Sequence, residues 1–114
     1  MSVVKDVLNK GVSYLIDYYY KQVESLFSDI KDIAKNRKHT YVEAQAILAA
    51  ESHLDFIFDR LSYMQLNDNL PPDLSEKVYS LIRLINTIRD FIESTFPDIY
   101  EVTYDSSSEE LVQR

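Results

Sequence analysis

Three ionisable side chains stand close together near the middle of the chain: Glu51, His53 and Asp55. Carboxylates and imidazole ligate zinc and non-haem iron, so metal chemistry is the first reading to test. On a helix these residues do not converge. Residues four apart share a face and residues two apart do not, so Glu51 and Asp55 point one way and His53 another. A di-iron carboxylate bundle needs Glu-x-x-His pairs on facing helices, and none occurs here. His53 therefore reads as a boundary histidine between two apolar stripes. Glu51, Asp55 and Asp59 form an acidic edge, with Arg60 beside it to answer part of the charge. A divalent cation would need further oxygens from another helix, and a solvated edge is the plainer expectation.

Other chemistry finds little to work with. The chain has two His and no Cys, which leaves few nucleophile–base pairs and excludes disulfides and thiolate ligands. Glu-x-x-Glu, used by helical nucleotide pyrophosphohydrolases, is absent, and so is the Arg-x(4–6)-His pattern of toxin-type helical RNases. No Gly-rich phosphate loop is present. The expectation is a protein that is not an enzyme, with no catalytic residue, metal or cofactor.

A second cluster is basic. Lys31, Lys35, Arg37 and Lys38 fall within a few residues of His39 in a chain of net charge −7. Cations at a helix C-terminus complement its dipole, which is the structural reading. The functional one is a patch for nucleic acid or an acidic partner. Only Tyr41 lies near enough to offer a stacking surface for a base. The acidic balance argues against a general nucleic-acid coat, and is compatible with ordinary solubility or with mimicry of nucleic-acid charge.

These residues must be held by helices. The chain has 114 residues, which fits one domain. One Gly and three Pro, two of them adjacent, favour a few long helices over a many-turned β fold. Ser2 to about Asn36 reads as the first helix. Its seam is Leu8, Val12, Leu15, Tyr19, Val23, Leu26, Ile30 and Ile33, spaced in threes and fours with one four-residue stutter. Gly11 is its weak point, where it could bend or begin. In the run Tyr18–Tyr19–Tyr20, helical geometry buries Tyr19, puts Tyr18 at the margin and leaves Tyr20 exposed or at an interface.

Thr40 and Glu43 have the spacing of a capping box, so the second helix starts there. The short link before it makes helices 1 and 2 antiparallel. This second helix, Tyr41 to Leu66, is the centre of the fold because it is apolar on two sides. One stripe is Ala46, Ala50, Leu54, Ile57, Leu61 and Met64. Ala49, Phe56 and Tyr63 lie on the far side, with Leu48 and Leu66 beyond them. A helix with two apolar faces must be covered twice. The third helix starts at Asp73 or Ser75 after Pro71 and Pro72. Leu74, Val78, Leu81, Ile85, Ile88, Ile92 and Thr95 give it an a/d seam, widened by Leu84 and Phe91, and Pro97 stops it. The tail from Pro97 to Arg114 is acidic and serine-rich. Its Tyr100, Val102 and Tyr104 alternate with polar residues as in a strand.

The predicted fold is therefore all-α: an antiparallel three-helix bundle of long helices, dimerised, with a short extended acidic C-terminal tail. Residues 1–97 make the helical bundle domain and 98–114 an extended or disordered tail. Tyr20, Leu48, Ala49, Phe56 and Tyr63 are the predicted interface, and Tyr100, Val102 and Tyr104 a tail-binding segment. The expected function is a non-enzymatic protein–protein interaction module, adaptor or small structural subunit, homodimeric and bound to another protein. The alternative is a component or charge-mimic inhibitor of a nucleoprotein complex, touching nucleic acid through the helix 1–helix 2 turn. The start of the chain, MSVVKDVLNKG, lacks the basic-then-apolar pattern of a signal peptide, and no run suits a membrane span. A cytoplasmic protein is expected.

Overall fold

The computed structural model describes residues 2–36, 39–67, 69–97 and Ile99, with side chains from Lys10 onward. Three helices account for nearly all of it: α1, Ser2–Ala34; α2, Tyr41–Asn67; and α3, Pro72–Thr95. The path is up, down, up. Gln22 of α1 meets His53 of α2, and Asn36 at the end of α1 donates to Glu43 at the start of α2, so α1 and α2 are antiparallel. Gln65 and Ser75 pair across the α2–α3 connection, while Arg89 reaches back to Asp55. Asp17 and Lys77 lie 3.9 Å apart and, further along both helices, Phe27 meets Phe91, so α1 and α3 run parallel.

The helix ends follow local chemistry. The hydroxyl of Thr40 accepts from the Glu43 backbone N–H at 3.1 Å, and the Glu43 carboxylate accepts from the Thr40 N–H at 2.9 Å. The reciprocal bonds of the capping box satisfy two amides that the helix cannot. α3 begins at Pro72, earlier than the acidic and hydroxyl residues suggest. Proline lacks an N–H and has φ preset for a helix, so the first turn suits it. Asn69 carries the turn before it at φ 43°, a conformation Asn tolerates better than most residues. Gly11 does not start α1, which runs through it.

Six of the seven residues of the α3 seam, Leu74, Val78, Leu81, Ile85, Ile88 and Ile92, are buried, and Thr95 at its end is half-buried. The other two helices require corrections. In α1, Ile16 is buried and Leu15 is only partly so. Val12, Ile16, Tyr19, Val23, Leu26, Ile30 and Ile33 then keep alternating steps of four and three, so no stutter is needed. In α2, Leu54, Ile57, Leu61 and Met64 are buried as expected, but Ala44 and Ile47 are buried where Ala46 and Ala50 were predicted. Ala46 is exposed and Ala50 half-buried. The larger isoleucine gains more from burial than an alanine, and it sets the register of that half. Ile99 is also buried in the core, two residues past the stopping proline, with its N–H donating to the Phe96 carbonyl. None of the described helices is long and apolar enough to cross a membrane.

Candidate interaction surface on α2

With one face of α2 in the core, its opposite face remains open. Val42, Ala46, Ala49, His53, Phe56, Arg60 and Tyr63 follow one another in steps of four and three, and all seven are exposed. This is a second seam with the spacing of a helix–helix contact, and none of the described elements covers it. Val42 is 72% exposed, Phe56 49% and Tyr63 64%. Together with Ala49 they form a row at seven-residue intervals, which is one line along the helix.

Side chains on the seam are arranged against each other. The Arg60 guanidinium lies 5.1 Å from the centre of the Phe56 ring, and the His53 ring is 6.4 Å from it on the other side. His53 Nε2 is 3.2 Å from Gln22 Oε1, and Gln22 Nε2 donates to the Tyr18 hydroxyl at 2.8 Å. These links connect the middle of the seam to the adjacent flank of α1. Towards the N-terminal end of α2 the surface sinks into an apolar groove of about 350 Å³. Leu26, Ile30 and Ile33 of α1 form one wall, Ala46, Ala49 and Ala50 the other, and Asp29 stands among the lining residues. Alanine leaves this space because its side chain ends at Cβ.

The predicted interface residues fall in three places. Ala49, Phe56 and Tyr63 share the open row. Leu48 is half-buried and packs on the core. Tyr20 is 41% exposed, but it lies seven residues before Phe27, whose ring meets Phe91 of α3 at 5.5 Å. Tyr20 thus belongs to the α1–α3 flank, away from the α2 row. The groove, Asp29, and the part of Ala46, His53 and Arg60 in the seam escape a search for hydrophobic runs. The signal is the four–three spacing itself, irrespective of residue type.

Two of the basic residues are engaged within the chain. The Lys31 ammonium sits 4.3 Å from the Phe27 ring centre, and Lys35 Nζ is 3.4 Å from Asp32. Arg37 and Lys38 lie outside the described residues, as do Tyr100, Val102 and Tyr104. On the acidic edge, Asp55 pairs with Arg89 of α3, whose guanidinium also covers the Phe58 ring at 4.6 Å. Arg60, placed beside that edge by sequence, turns to Phe56 instead. Among the described residues no three His, Asp or Glu side chains are grouped to hold a metal ion. The chain matches no family model, no curated protein and no solved structure.

Proposed function

We propose that this protein is a non-enzymatic helical interaction module, a small structural or adaptor subunit that binds a protein partner through the open seam of α2. The observation that supports this reading best is the aligned, exposed row of Val42, Ala49, Phe56 and Tyr63 on the helix whose other face anchors the core. Aromatic residues at the centre of such a surface carry most of the energy when a partner dries them. The Arg60–Phe56 stack adds a cation that can pair with an acidic group on a partner. A chain without cysteine needs no oxidising compartment, and the cytoplasm is the setting we propose.

The alternative is a component or charge-mimic inhibitor of a nucleoprotein complex, in contact with nucleic acid through Lys31, Lys35, Arg37 and Lys38. It has less support, because Lys31 and Lys35 are already engaged by Phe27 and Asp32.

Phe56→Asp tests the main reading. Phe56 is half-exposed, so helix content and thermal stability should hold. A carboxylate in a dried interface is costly, and association should weaken by about 2 kcal/mol or more. Unchanged complexes in size-exclusion chromatography of wild type and variant would count against the seam.

A further inference from the structure

We infer that the α2 seam is occupied by a second copy of this chain, packed antiparallel about a twofold axis at His53. The inference rests on the reading of this seam as a binding surface and names its occupant. The seam is divided by size. Val42, Ala46 and Ala49 form its N-terminal half, and Phe56, Arg60 and Tyr63 its C-terminal half, with His53 between them. An antiparallel copy centred on His53 sets Ala49 against Phe56, Ala46 against Arg60 and Val42 against Tyr63, twice over. Apart from His53, which meets its own copy on the axis, every large residue meets a small one, as close packing between helices requires. A parallel copy would set Phe56 on Phe56 and Arg60 on Arg60, and would leave the alanine half unfilled.

The groove lies where this arrangement needs a hole. It flanks Ala46, Ala49 and Ala50, the level at which Phe56 of the partner subunit arrives. Charge agrees with shape. Asp29 lines the groove, Arg60 lies on the seam, and neither makes an ion pair among the described residues. The antiparallel copy brings Arg60 of the partner subunit to the level of Ala46, beside Asp29, and the twofold axis makes the same pair on the other side. Such a self-complementary surface is what a twofold contact requires, and the opposed charges fix its register.

The absence of cysteine makes introduced thiols unambiguous reporters. Val42 and Tyr63 are about 32 Å apart along the helix at 1.5 Å per residue. In the antiparallel dimer the two copies of Val42 are too far apart for a disulfide. Val42→Cys alone and Tyr63→Cys alone should give no covalent dimer on oxidation, and an equimolar mixture of the two, after exchange, should give one. Arg60→Glu should weaken the dimer about tenfold or more, and adding Asp29→Lys should restore it. Sedimentation of the wild type provides the baseline, with circular dichroism to show that each variant is folded. Self-crosslinking of Val42→Cys, failure of the folded double charge variant to recover, or a wild-type monomer at about 100 μM would overturn the inference. A wild-type monomer that loses a different protein partner on Phe56→Asp would overturn the second copy and leave the seam's binding role standing.

Discussion

The imidazole of His39 meets the ring of Phe96 edge-on, with 4.8 Å between centroids. The contact ties the link between α1 and α2 to the end of α3. The ring packs well but its Nε2 is buried, and among the described residues it has no hydrogen-bond partner. A buried polar atom without a partner costs free energy that an apolar atom of the same shape does not. His39→Phe should therefore leave stability unchanged or raise it by up to about 1 kcal/mol, whereas His39→Ala should lower it by about 1–2 kcal/mol through lost ring packing. Chemical denaturation of the two variants checks the order.

Ile99 makes the segment after Pro97 part of the bundle. Its side chain is buried, and Ile99→Ala should cost about 2–3 kcal/mol. Truncation after Phe96 should lower the melting temperature, while truncation after Ile99 should lower it much less. Equal melting of the two truncations would show that Ile99 contributes nothing.

The start of α2 should be sensitive to acid. Hydrogen bonds, first from the Thr40 backbone N–H and also from Asn36, hold the Glu43 carboxyl below its usual range. A carboxyl whose pKa is lowered by folding stabilises the fold above its unfolded pKa, and that contribution disappears as pH falls through the lowered value. The advantage of wild type over Glu43→Gln should be full at neutral pH and shrink in acid, below the normal glutamate range. Thr40→Ala should cost about 1 kcal/mol at neutral pH. Thermal melts across pH 2–7 (a range of ordinary glutamate titration) would show the slope.

Gly11 is exposed within α1, and a Cβ placed on it would meet nothing within 4 Å. Gly11→Ala should stabilise the protein by about 0.5–1 kcal/mol, because alanine loses less backbone freedom in a helix. An increased denaturation midpoint with an unchanged slope is the expected result.

The basic turn admits a direct test. Reversing Lys31 and Lys35 to Glu should abolish any binding of DNA or RNA at about 50 mM salt and leave helix content intact. A wild-type protein that shifts neither nucleic acid under those conditions removes the support for the alternative reading.

Legibility in the sequence tracked side-chain size. The seam of α3 could be read from Leu74 to Ile92 because Val, Leu and Ile occupy that stretch without a break. The capping box was equally plain, since Thr40 and Glu43 are the two groups that exchange bonds. The N-terminal half of α2 was ambiguous because it holds Ala44, Ala46, Ala49 and Ala50, and alanine fits inside or outside at little cost. Ile47 could have resolved it, lying seven residues before Leu54 and fourteen before Leu61. The open row of α2 was visible as surplus hydrophobicity. The groove beside it was not, because a hole between two helices depends on their relative placement and on atoms that alanine lacks.

The buried Ile99 also fixes where the remaining chain is tethered. It lies beside Phe96, which touches His39, so the last fifteen residues start from the end of the bundle that carries the α1–α2 turn. They bring Glu101, Asp105, Glu109 and Glu110 against a single Arg114. A tethered group meets its neighbours at an effective concentration on the order of millimolar. Any ionic contact between those carboxylates and the cations of that turn would therefore be intramolecular. An acidic molecule offered to Lys31 and Lys35 would compete with any such contact, and added salt would weaken both together.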